Sequence, residues 1–93
     1  MRFDFYSDPQ HGWLKVPRQL LVTLGIATAI SPYSYQRGDW AYLEEDVDCS
    51  RFCRAMAAQG NTFTVRQRGA NRLSRIRGYA SFTPPTLAPG LAP

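Results

Sequence analysis

Trp13-Leu14-Lys15-Val16-Pro17-Arg18-Gln19-Leu20-Leu21-Val22-Thr23-Leu24-Gly25 passes from strand to helix at a single residue, and that passage decides the fold class. Trp13–Val16 reads as a short strand. Pro17 falls at the first helical position, where a missing N–H leaves no bond unmade and a fixed φ suits the helix. Pro17, Leu20, Leu21 and Leu24 follow at i, i+3, i+4 and i+7 and make one apolar stripe, with Arg18, Gln19 and Thr23 toward water. Gly25 supplies the C′ residue that can take positive φ. The chain therefore alternates strand with helix early.

Upstream, Arg2–Ser7 alternates as a strand, with Phe3 and Phe5 on one face and Asp4 and Tyr6 on the other. Asp8-Pro9-Gln10-His11-Gly12 is turn chemistry. Downstream, Tyr33–Gln36 and Trp40–Glu45 flank Arg37-Gly38-Asp39 and predict a β-hairpin. Tyr33 and Tyr35 share one face of its first arm, and Trp40 and Tyr42 one face of its second. The Arg-Gly-Asp letters match an integrin tripeptide, but between two strand patterns they read as a hairpin turn.

A second helix is predicted over residues 49–59, capped by Asp46 or Asp48 and stopped at Gly60, with Cys49, Phe52, Cys53 and Met56 as its buried stripe. Thr62–Arg68 alternates again, Phe63 and Val65 inward and Thr64, Arg66 and Arg68 outward. Arg68-Gly69-Ala70-Asn71-Arg72 is a loop. Ser74–Phe82 reads as a last strand, with Arg75, Arg77 and Tyr79 opposite Ile76, Ala80 and Phe82. The expected class is α+β: a small antiparallel sheet of about five to six short strands with two helices packed on one side. One domain over residues 1–82 is expected, followed by a Pro-rich flexible tail at 83–93 that holds four prolines.

Charge is laid out unevenly. Residues 1–48 carry Arg2, Lys15, Arg18 and Arg37 against Asp4, Asp8, Asp39, Glu44, Glu45, Asp46 and Asp48, a net −3. Residues 49–93 carry Arg51, Arg54, Arg66, Arg68, Arg72, Arg75 and Arg77 with no acid, a net +7. Such asymmetry points to an acidic or nucleic-acid partner, unless the two halves neutralise each other on folding. No run approaches the roughly 20 apolar residues of a membrane span, and Asp4 interrupts the N-terminus where a signal peptide has its apolar core. With two cysteines and no disulfide framework, a cytoplasmic location is expected, in the host cell if the chain belongs to a mobile element.

The inventory for catalysis is thin. His11 stands alone in a turn, and no serine or cysteine sits in a G-x-S-x-G elbow. Cys49 and Cys53 offer half a metal site with no second ligand pair, and they read as core. Neither a catalytic residue, nor a metal, nor a cofactor is expected. Glu44-Glu45-Asp46-Val47-Asp48 reads as helix-capping charge.

Two resemblances bear on function. Ser7-Asp8-Pro9-Gln10-His11-Gly12-Trp13-Leu14-Lys15-Val16-Pro17, Leu24-Gly25-Ile26, Ile30-Ser31-Pro32-Tyr33-Ser34-Tyr35-Gln36-Arg37-Gly38-Asp39 and Tyr42-Leu43-Glu44-Glu45-Asp46 resemble an uncharacterised family of short phage, plasmid and integrated-element proteins of proteobacteria. That likeness covers residues 1–82 and implies a mobile-element origin, with counter-defence factors such as anti-CRISPRs as the model. Trp13–Ile26 is also similar to the strand-Pro-helix-Leu-Gly-Ile segment of AbrB-like swapped-hairpin DNA-binding domains. Those domains place a Gly-Asp pair a few residues later, whereas Gly38-Asp39 follows here only after Ser31-Pro32-Tyr33.

The expected function is a small non-enzymatic binding protein that occupies a functional surface of a host protein or ribonucleoprotein. Arg51, Arg54, Arg66, Arg68, Arg72, Arg75 and Arg77 are its candidate electrostatic contacts. Tyr33, Tyr35, Trp40, Tyr42 and Tyr79 are its candidate aromatic anchors, since aromatics and Arg dominate interface hot spots. The alternative is nucleic-acid binding through the same arginines, either AbrB-like or non-specific, with a homodimer as one form it takes. No membrane partner is expected.

Overall fold

The computed structural model describes residues 1–85. Six strands form one mixed sheet, β1 (Arg2–Ser7), β2 (Gly12–Pro17), β3 (Tyr35–Arg37), β4 (Trp40–Glu44), β5 (Thr64–Gly69) and β6 (Ala80–Ser81). Their order across the sheet is β5-β1-β2-β4-β3-β6. Two helices, α1 (Arg18–Thr23) and α2 (Val47–Ala58), complete an α+β domain. Four of the five strand pairs are antiparallel. The exception is β1 with β5, which run parallel because α2 carries the chain back along the sheet before β5 begins.

Both helices cover the same face. Leu21 of α1, Leu24 at its C-cap, and Phe52 and Met56 of α2 are buried with Phe3, Leu14, Val16 and Leu43 of the sheet. Pro17 closes β2 and stands as the N-cap of α1, so the helix starts at Arg18, one residue later than the sequence pattern places it. Gly25 and Gly60 take φ of +74° and +72° just beyond the two helices, as C′ glycines do. Gly38, at +59°, turns the β3–β4 hairpin within two residues.

Three local expectations are corrected. First, Cys53 is exposed, and only Cys49 packs against the core. The buried stripe of α2 is Asp48, Phe52 and Met56, at i, i+4 and i+8. Second, Val65 is 41% exposed, because β5 is an edge strand with every residue exposed. Phe63, just before it, packs instead, with its ring 5.4 Å from Phe3 and 5.6 Å from Phe52. Third, Ser74–Phe82 is not one strand. The Ser74 hydroxyl accepts from the Ile76 N–H and starts a 3-10 turn over Arg75–Gly78, leaving only Ala80–Ser81 in the sheet. Ile76 and Phe82 consequently bury on opposite faces of the sheet.

The cap of α2 also differs from expectation. Glu44, not Asp46 or Asp48, accepts from the free N–H groups of Asp46, Val47 and Asp48 at 2.8, 2.7 and 2.6 Å. Asp48 is fully buried and serves another purpose. It accepts from the Ser31 N–H at 3.1 Å and from the Ser31 and Ser34 hydroxyls at 2.6 Å each. Ser34 in turn accepts from the Glu44 N–H at 2.9 Å, and its carbonyl accepts from Phe82. One carboxylate thus ties the 31–34 loop to α2 and holds it beside β4.

Removing a buried acceptor strands its donors at about 1–3 kcal/mol each. Asp48→Ala is expected to lower unfolding free energy by about 3 kcal/mol or more in urea titrations, and a loss below about 1 kcal/mol contradicts the assignment. The thiols give a second check. Burial and the neighbouring Cys53 push Cys49 up to about 12, so at about pH 8 a thiol reagent is expected to label Cys53 quickly and Cys49 only after unfolding.

Candidate functional site

The face opposite the helices follows from the strand alternation. Asp4 and Tyr6 of β1 point away from Phe3, so they share this face with Trp13 and Lys15 of β2 and Tyr42 of β4. Tyr35 of β3, paired with Tyr42, joins the row. Trp13, Tyr42 and Ile76 form a second buried cluster, with Tyr6, Tyr35 and Tyr79 packed against it. Ile76 belongs to no strand. It is carried across this face by residues 70–79, a strap that leaves β5 and ends at β6 on the far edge.

Asp8 holds the strap in place. Its side chain has no solvent exposure and accepts five hydrogen bonds. Two come from the Gln10 and His11 N–H groups of its own turn, both 2.9 Å. The other three come from the strap: the Ser74 N–H at 2.9 Å, and Arg77 Nε at 2.7 Å and Nη2 at 3.0 Å, a bidentate pair. Arg77 also lies over the Trp13 ring, 5.4 Å from its centroid. The Arg77 guanidinium, aided by the backbone N–H donors, holds the Asp8 carboxyl far below the usual carboxylate range.

The arginines of the second half therefore divide. Arg66 grips Asp4 through Nε at 2.8 Å and Nη2 at 2.9 Å, and Arg68 lies 3.7 Å from the same carboxylate. Arg66 holds Asp4 below its ordinary pKa. Arg51 donates to the Ala29 carbonyl and stands 3.9 Å from Asp48. Arg54, Arg72 and Arg75 make no ion pair among the described residues. Arg51 and Arg54 lie on α2, across the sheet from the others, so the seven do not form one surface. The counter-ions are acids of the first half, but Asp4 and Asp8 supply most of them and the 44–46 run none.

The strap divides its face into two clefts of opposite sign. On one side, a cleft of about 580 Å³ is lined by Glu44, Glu45 and Asp46 with His11, Trp13, Tyr33 and Tyr35, its one arginine being the Asp8-paired Arg77. His11 Nδ1 lies 3.7 Å from Glu45. Tyr33 is 80% exposed at its rim. On the other side, a cleft of about 430 Å³ is lined by Lys15, Arg72 and Arg75 with Tyr6, Tyr42 and Tyr79. Of the expected anchors, Tyr42 is 7% exposed and belongs to the second core cluster, offering only a wall. Burial raises its phenol above the ordinary tyrosine value. Tyr35 and Tyr79 are half-buried, and Arg37 bonds the Tyr79 hydroxyl at 3.2 Å. Trp40 is 40% exposed, with Lys15 Nζ 4.3 Å above its ring.

Sequence reasoning missed Asp8, Lys15 and Tyr6 as parts of this site. The alternation of β1 placed Tyr6 opposite Phe3 and Phe5, but nothing local marks Asp8 as the partner of a residue 69 positions away. Among the described residues, no cluster of three His, Cys, Asp or Glu side chains stands ready for a metal ion, and no helix is long and apolar enough to cross a membrane. Comparison with protein-family models, curated proteins and solved structures returns no match.

Asp4 and Asp8 both sit below the ordinary aspartate value of 3.8 when folded. The unfolded chain then binds more protons in that range, so the stability these groups add is complete above about pH 4 and is lost as pH falls below it. Urea midpoints are expected to be flat from neutral pH to about 5 and to drop below about 4. Asp8→Asn is expected to start lower and drop less. An equally steep acid limb in the variant contradicts the clamp.

Proposed function

We propose that this chain is a binding protein without catalysis of its own, which docks the strapped face of its sheet onto a host protein or ribonucleoprotein. The observation that supports this reading is the pair of oppositely charged clefts on one face, with an exposed tyrosine at the rim of the acidic one. A protein surface presents both signs at this spacing, and electrostatic complementarity fixes register and suppresses wrong partners. A continuous polyanion laid over the whole face meets Glu44, Glu45 and Asp46 beyond the strap. The other face is filled by α1 and α2, which leaves the strapped side as the broad surface of the sheet.

The aromatic side chains support the same reading. Tyr33 and Trp40 are large, exposed and rigid, and such residues carry a disproportionate share of interface energy. The 31–34 loop, tied down by Asp48, carries Tyr33, and β4 carries Trp40, which keeps the entropy lost on binding small. Small size, a thin catalytic inventory and the likeness to mobile-element proteins fit a factor that works by occupancy, as anti-CRISPRs do, in the cytoplasm of the host.

Affinity capture with the tagged chain from host lysate tests this. A stoichiometric partner is expected with the unaltered chain and is expected to be lost with Tyr33→Ser combined with Asp46→Asn, whose side chains make no hydrogen bond or ion pair among the described residues. Arg54→Ala, on the helix side, is expected to leave capture intact. Capture that survives the first variant, or no stoichiometric partner at all, overturns the reading.

A further inference from the structure

From the basic cleft we infer that the strapped face also binds single-stranded nucleic acid, with phosphates on Lys15, Arg72 and Arg75 and a base against Tyr6 and Tyr79. The inference deepens the docking reading by giving a ribonucleoprotein partner a second contact, through its RNA. Its foundation is the difference between used and unused cations. Arg66 and Arg77 spend their guanidinium groups on Asp4 and Asp8. Lys15, Arg72 and Arg75 make no ion pair among the described residues, and no carboxylate lines the cleft they share. Lys15 rests its ammonium over the Trp40 ring, which leaves the charge itself unneutralised, so three cations without a carboxylate partner line about 430 Å³ and call for an anion.

The walls narrow the choice of anion. Three of the ten lining residues are tyrosines, and stacking on tyrosine together with a cationic groove is how proteins hold unpaired nucleotides. The volume falls within the range of pockets that enclose a small ligand, about 300–1,000 Å³. Arg2, Arg66 and Arg68 share the single carboxylate of Asp4, so the edge of the same face beside β5 keeps a net positive charge. That edge suits a chain of phosphates better than one phosphorylated side chain. The strap stands above the sheet and admits a splayed base at its flank, whereas a duplex keeps its bases stacked inside. The acidic cleft beyond the strap repels phosphate and so sets the side on which the strand lies.

Fluorescence anisotropy of labelled oligo-dT and oligo-U of about ten nucleotides, titrated with the full chain, tests the inference. Saturable binding at about 50 mM salt that weakens steeply by 200 mM is expected. Arg72→Ala with Arg75→Ala, both exposed residues outside the clamp, is expected to weaken it about tenfold or more. Tyr79→Leu is expected to weaken it at both salt concentrations, because stacking is not screened. Arg54→Ala is expected to leave it unchanged. No saturable binding at the lower salt, equal affinity for poly-glutamate, preference for a phosphotyrosine peptide, or indifference to the double variant overturns the inference. Partner capture that still depends on Tyr33 and Asp46 then leaves the docking reading standing. Oligonucleotide binding without such capture removes that reading alone.

Discussion

The bidentate pair between Asp8 and Arg77 governs what this protein presents to its surroundings. The sheet and the two helices make an ordinary two-layer core, and that core alone leaves one face of Tyr6, Trp13, Tyr35 and Tyr42 open to water. Three hydrogen bonds from the strap to one unexposed carboxylate bring Ile76 down onto that face and cover it. The same contacts raise a ridge between two clefts. A large aromatic surface is thereby turned into a shaped and charged one, with the rings as walls.

Charge pairing explains why the face has two signs. The excess of arginine in the second half meets acids of the first half chiefly where folding brings β1 and its turn beside β5 and the strap, with Arg51 beside Asp48 as a further contact. Asp4 and Asp8 are thereby consumed, while Glu44 is committed to the N–H groups of α2 and Asp48 to the 31–34 loop. On the strapped face the charges left over are segregated: Glu45 and Asp46 at one end, Lys15, Arg72 and Arg75 at the other. A net charge of +4 conceals this separation. Long-range steering by the separated charges orients an approaching partner before contact.

Much of the fold was legible because its strongest signals are local. The Pro17 stripe, Gly25, Gly60 and the alternation of β1 each reflect a backbone or periodicity rule acting within a few residues. The last strand was misjudged because Ser74 supplies a hydrogen bond that competes with extended backbone, and alternation alone does not reveal it. Asp48 carried a readable sign, since a charge at the first position of an i, i+4, i+8 apolar series must be buried with partners. For the candidate site, sequence identified Arg72, Arg75 and Tyr79 as available chemistry. It did not separate them from Arg66 and Arg77, because which arginine finds a carboxylate depends on the parallel β1–β5 register and on the path of the strap.

Amide hydrogen exchange read residue by residue at neutral pH in the unaltered chain and in Asp8→Asn tests most directly whether one carboxylate shapes the binding face. The N–H groups of Ser74, which donates to Asp8, and of Tyr79, which donates to Ile76 in the strap, are expected to be protected in the first and to exchange freely in the second. Protection in β1, β2 and β4 is expected to persist in both. Rapid exchange of Ser74 in the unaltered chain, or strap protection untouched by the substitution, contradicts the account.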